Sequence, residues 1–217
     1  MARHHGVVDD LLATWTTLIG PHTADPDAVA VGERLLTSWS QPHRRYHCVA
    51  HLRDVLDAVE FLAAYADNAD AVRLAAWYHD SVYDGRPDDE ERSARRAETE
   101  MSRLGVAAGL VDEVARLVRL TVSHDPAVGD HNGEVISDAD LSALAAQPAD
   151  YRRNTAAIRQ EYAHIDDAVF AKGRLQVLAT LLEAPAVFRT EAGRRRWEAA
   201  ARQNMVAELA DLTRTGR

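Results

Sequence analysis

Amphipathic runs broken by glycine and proline set the limits on this fold. Apolar residues recur at steps of three and four, and almost every Gly and Pro falls where such a run stops. VVDDLLATWTTLIG (7–20) stops at Gly20-Pro21, and a second run opens at Asp25-Pro26 and passes Leu35, Leu36 and Trp39 before Gln41-Pro42. Further helices are expected at about 46–65, 69–82, 90–104 and 106–122, with the loop DGRPDD (84–89) between two of them. SHDPAVGDHNGE (123–134) reads as an exposed loop, and helices follow at about 138–147, 149–164, 166–183 and 194–213. No alternating strand pattern of useful length occurs, so the expected class is all-α. No repeat or composition break divides the chain, so 1–217 reads as one helical domain, with the helices of 1–40 packed on the rest.

Composition narrows the function. The formal net charge is -9, which disfavours wrapping duplex DNA because phosphates repel the protein. A small anionic substrate then needs a local cation, either a metal or clustered arginines. Cys48 is the one cysteine, which excludes an intrachain disulfide and suits a reducing cytoplasm. Asp9 and Asp10 interrupt the start MARHHGVVDDLLATW, so a signal peptide is not expected, and no window offers the ~20 apolar residues of a membrane span. The expected location is cytoplasmic. The sequence carries no signal for oligomeric state.

The histidines are numerous, and their positions matter more than their number. His4 and His5 read as solvated, and His22, His43, His131 and His164 fall in or near loops or polar positions. His47 and His51 stand one helical turn apart, a metal-compatible spacing. HCVAH lacks the glutamate of a zincin motif, and capping or surface histidines explain this pair about as well. In RLAAWYHDSVYD (73–84), an apolar helix face runs directly into His79-Asp80. Burying a carboxylate beside an imidazole is costly unless a cation compensates, and a divalent metal accepts both. A helix C-terminus carrying His for the dipole and Asp for solvent is the plainer alternative. In EVISDADLSALAA (134–146), Ser137 or Asp138 reads as a helix cap, whereas Leu141, Leu144 and Ala145 pull Asp140 toward the core.

The order His51, His79-Asp80, Asp140 resembles the H…HD…D signature of the HD-domain phosphohydrolases. HRRYHCVAHL, AAWYHDSVYD, DDEERSA, LTVSHD, SDADLSAL, IRQEYAHIDDAVFAKGR and NMVAELADL are similar to successive blocks of a bacterial subgroup of predicted metal-dependent HD phosphohydrolases, over roughly 40–212. The resemblance implies a helical bundle around one divalent metal, occasionally two, held by His51, His79, Asp80 and Asp140. His51 matches the first ligand better than His47 because Val55 and Leu56 follow it, and Asp140 matches the last because it precedes Leu141. His47 and Asp138 are then expected behind the ligands, orienting them or water. Such mixed nitrogen and oxygen ligands accept Mn, Fe, Co, Ni, Zn or Mg.

The reaction expected from the resemblance is hydrolysis of a small phosphorylated substrate, a nucleotide among the options, by metal-activated water. Asp80 is assigned both ligand and catalytic work, and Asp84, His124 and Glu91 are candidates to handle protons. Arg44, Arg45, Lys172 and Arg174 are candidates to hold the phosphate. The alternative is a catalytically silent sensor that retains metal and binds a nucleotide. A helical transcription regulator is a third reading. Its one candidate for a basic recognition helix, Arg194-Arg195-Arg196, runs into Trp197, Met205 and Leu209 like a packed final helix.

Overall fold

A computed structural model describes the backbone of residues 2–215 and the side chains of residues 8–214. His4 and His5, read above as solvated, lie outside the described side chains. The described chain is all-α: α1 (Ala2–Ile19), α2 (Ala28–Trp39), α3 (Val49–Leu62), α4 (Ala69–Tyr78), α5 (Asp89–Arg103), α6 (Ala108–Leu120), α7 (His131–Leu141), α8 (Pro148–Glu161), α9 (Asp167–Glu183) and α10 (Glu191–Thr215). No strand occurs among the described residues, and none of these helices is long and apolar enough to cross a membrane.

Helix α4 is the axis of the main core. Ala71, Val72 and Leu74 through Tyr78 are all fully buried, because the helix is apolar on all but the edge that carries Asp70 and Arg73, and α1, α3, α5, α6 and α7 surround it. Asn68 caps it by accepting a hydrogen bond from the Ala71 amide. Two indoles fasten the outer helices through hydrogen bonds, one between α1 and α2 and one from α2 onto α4. Trp15 Nε1 donates to the Ala28 carbonyl at 2.8 Å, and Trp39 Nε1 to the Trp77 carbonyl at 3.0 Å. Trp15 lies where a β-carbon on Gly32 would sit, 2.3 Å away, so α1 and α2 approach this closely only with glycine there.

The largest departures from the expected helix boundaries are the two ends of one helix. Helix α7 starts at His131, inside the stretch read as loop, and ends at Leu141, where a 3-10 turn (Ser142–Ala145) replaces the expected continuation to 147. The Asp130 carboxylate caps this start by accepting from the Gly133 amide at 3.0 Å, and Arg116 grips the same carboxylate with two donors. Tertiary contacts thus start a helix through Asn132 and Gly133, which are weak helix formers. Asp138 and Asp140 therefore sit near the end of α7 and not at its start.

A second, smaller core lies between α9 and α10, with Leu178, Val187, Phe188, Ala201 and Met205 at its centre. Trp197 packs on both cores. Asp138 joins the two parts. It accepts from the amides of Arg189 and Thr190 at 2.6 and 2.9 Å and from the Thr190 hydroxyl at 2.7 Å. A β-carbon on Gly193 would meet the Asp138 carboxylate at 2.4 Å, so glycine is required at this crossing.

Candidate metal centre

Three helix ends deliver the candidate ligands to one place. His51 sits in the first turn of α3, His79 follows the last residue of α4 with Asp80 next to it, and Asp140 is in the last turn of α7. His51 Nε2 lies 3.1 Å from Asp140 Oδ1 and 3.4 Å from His79 Nε2. His79 Nε2 lies 3.6 Å from Asp140 Oδ1 and 3.3 Å from Asp80 Oδ2, which is 3.9 Å from His51 Nε2. His51, His79 and Asp140 form a group that can hold a metal ion, with ligand atoms all within 4.8 Å of one another. Two ligands bound at ~2.1 Å stand about 3.0 Å apart when cis on an octahedron and about 3.4 Å apart on a tetrahedron, so these spacings fit one small divalent ion.

The tautomer fits as well. His79 Nδ1 donates to the Ala76 carbonyl at 2.8 Å, one turn back on its own helix, which leaves the Nε2 lone pair turned to the site. That lone pair faces a second imidazole nitrogen and two carboxylates, an arrangement that calls for a positive charge. The same demand shows in the protonation of these side chains. Burial disfavours a charged His79, but Asp80 and Asp140 outweigh it and hold the imidazole pKa well above 6.5. Burial likewise pushes Asp140 upward, but His79 and the hydrogen bond from His51 outweigh it and hold the carboxyl well below 3.8.

A cavity of about 250 Å³ opens onto the ligands. His124 lines it and brings Nε2 to 3.5 Å from Asp140 Oδ2. Its backbone takes a left-handed φ of 49°, unusual for a residue with a side chain, and burial lowers its pKa from 6.5. Tyr46, Tyr83, Tyr151 and Tyr162 supply much of the remaining wall.

The other expected site residues divide sharply. Arg174 lines the cavity, but Glu208 already grips its Nε and one terminal nitrogen at 2.8 and 3.0 Å. Arg44 does not reach the cavity. It is buried and donates to the carbonyls of His47, Asp80 and Ser81, which makes it the brace that holds the His79-Asp80 turn. The structure does not bring Arg44 to the cavity as a phosphate ligand, since its donors are spent on these carbonyls and on Gln41 Oε1. Arg45 and Lys172 are exposed and line no part of the cavity. Asp84 pairs with Arg92 at 2.7 Å, and Glu91 pairs with Arg95 and Arg119, both outside the cavity lining. The structure therefore does not bring either expected proton carrier to the cavity. Asp138 does not stand behind the ligands. It points to the start of α10, two residues and about 200° around the helix from Asp140.

His47 lines the cavity, with its ring 5.7 Å from that of His51 and stacked on Tyr83. Its partner, Glu161, escaped the sequence reading. Glu161 Oε1 accepts from three successive amides, Arg45, Tyr46 and His47, and Oε2 accepts from His47 Nδ1 at 2.6 Å. This one carboxylate fastens the loop before α3 to the end of α8. The sequence signal for it was faint: an acid between Arg159 and Tyr162, 114 residues from His47. Glu90, at the cavity wall, was also missed in favour of its neighbour.

No family model matches the chain, and no match was found among curated proteins or solved structures.

Proposed function

We propose that this protein is a metal-dependent phosphohydrolase of the HD-domain type, acting on a small phosphoester. The convergence of His51, His79 and Asp140, with Asp80 beside them at the cavity floor, carries the reading. The charge of the cavity supports it. Asp80, Asp140 and Glu90 face inward, and the one guanidinium, Arg174, is already matched by Glu208. Such a cavity repels a phosphate unless a cation is seated among the carboxylates.

His51, His79, Asp80 and Asp140 would hold the ion. When bound, a divalent metal polarises a phosphoryl oxygen and lowers the pKa of water toward ~7. The chain's own groups do the rest. Arg44 fixes the carbonyls of Asp80 and Ser81, and so the direction of the Asp80 side chain. Arg174, pre-oriented by Glu208, contributes a guanidinium edge for the ester's phosphate. The tyrosine walls exclude water around the rest of the substrate.

A second reading, a sensor that binds a nucleotide without turning it over, draws on Asp84 and Glu91 being committed to arginines. Product formation over a panel of nucleotides and phosphomonoesters, set against thermal stabilisation by the same compounds, separates the two. For the hydrolase reading, elemental analysis should find roughly one divalent ion per chain. Asp140→Ala and Asp80→Ala should lose the ion and the turnover while keeping the helical circular dichroism. An Asp80→Ala protein that hydrolyses phosphoesters at the wild-type rate sinks the proposal.

A further inference from the structure

Asp84, Asp88, Asp89, Glu90 and Glu91 crowd one short stretch, and their fates differ. Asp84 is held by Arg92. Asp89 is buried, accepts from the amides of Asp84 and Arg86, and also receives Arg92. Glu91 lies under Arg95 and Arg119. Asp88 is exposed and lines no part of the cavity. Glu90 alone of this group lines the cavity, together with Asp80, Tyr83 and Tyr162. Among the described residues no arginine, lysine or histidine pairs with its half-buried carboxylate.

An acid in such a place keeps its proton longer than a solvated one. Burial raises the Glu90 pKa from 4.5 and outweighs a hydrogen bond from its own backbone, while Asp80 and Asp89 add lesser upward pushes and His79 a lesser downward one. An unpaired carboxyl that lines a reaction cavity and holds its proton more tightly than a solvated one is suited to passing a proton to a departing oxygen.

We propose that Glu90 is the proton donor to the leaving oxygen, and that the substrate is a phosphomonoester of an aliphatic or sugar hydroxyl. This rests on the hydrolase reading above. Water oxygen forms the new bond to phosphorus as the bond to the ester oxygen breaks. The ester oxygen departs with the electron pair and takes the Glu90 proton, which yields the alcohol. The water leaves one hydrogen on the phosphate and releases the other as a proton, which restores Glu90. The sum is ester plus water giving alcohol plus phosphate.

The leaving group fixes the substrate class. An aliphatic alkoxide is too basic to leave unprotonated, whereas a phenolate, whose conjugate acid titrates near ~10, leaves with far less help. A phosphoanhydride needs less help again. It would also bring a second phosphate into a cavity of about 250 Å³ whose one guanidinium is already paired.

The test uses Glu90→Gln in the full, metal-loaded chain, with Glu91→Gln as the control. kcat/KM for glycerol 3-phosphate should fall roughly 10²-fold or more, while p-nitrophenyl phosphate should lose less than about fivefold. Metal content should be unchanged. A second readout needs no turnover. Calorimetry at pH 8 should show inorganic phosphate bound roughly threefold or more tighter by Glu90→Gln, because an ionised carboxylate beside the dianion is gone. Equal losses on both esters, loss of metal, or unchanged phosphate affinity each overturn the donor role while leaving the hydrolase reading in place. A wild-type protein that turns over no ester overturns the hydrolase reading, and the donor role falls with it.

Discussion

Trp15, Trp39 and Trp77 are completely buried in the part of the molecule before α8, whereas α8 buries Tyr151 alone and α9 buries Leu178 alone. The candidate metal ligands all come from the first part, on α3, at the end of α4 and on α7. The outer wall of the cavity, including Tyr151, Asn154, Ile158 and Arg174, comes from the second. The difference separates two duties. Ligands for a small ion must stay within a few tenths of an ångström of their places, which dense packing enforces. A wall that admits and releases substrate belongs at the less stable end of the molecule.

The largest expected effect tests whether the two parts come apart. Trp77→Ala should cost about 3–5 kcal/mol in urea unfolding and release the metal, because it empties the centre of the main core. Leu178→Ala should speed amide exchange in α8 and α9 while the protein keeps its metal. A Leu178→Ala protein that loses metal as readily as Trp77→Ala erases the distinction.

A smaller effect tests the fastening between them. Burial alone would raise the Glu161 pKa, but hydrogen bonds from His47 and the Arg45 and His47 amides outweigh it and bring the carboxyl to about 2. A folded-state pKa below the ordinary 4.5 contributes stability that is complete above about pH 4.5 and is lost as pH falls toward 2. Glu161→Gln should cost about 1–3 kcal/mol at neutral pH and flatten the stability profile in that acid window. An unchanged slope there means the carboxylate is not the fastening.

The smallest effect belongs to a residue assigned from sequence and not brought to the site. Asp84→Asn should change stability by less than about 0.5 kcal/mol and, on the proposed hydrolase reading, leave metal content and turnover alone, since the Asp84 carboxylate pairs with Arg92 at the surface. A tenfold fall in turnover would return it to the site.

The legible parts of this molecule were those written in local pattern. The apolar run LAAWY ending at His79-Asp80 marked a buried helix carrying polar cargo, and Leu141 and Leu144 drew Asp140 inward. What pattern could not show was partnership at a distance. Arg44 looked like a phosphate ligand because nothing near it in sequence shows that it spans 36 residues to the Asp80 carbonyl. Glu91 was preferred to Glu90, although one residue turns a helical side chain by about 100° and separates an arginine-bound surface from the cavity. The start of α7 was hidden because Asp130 and Arg116 impose it from outside.

Helix α7 carries Asp140 toward the imidazoles and Asp138 toward Thr190. One short axle thus bears two grips that face nearly opposite ways. Rolling it to relax the hold on residues 189–193 would swing the other carboxylate through the same arc, so a pull on the chain beyond Phe188 would shift Asp140 against the imidazoles of His51 and His79.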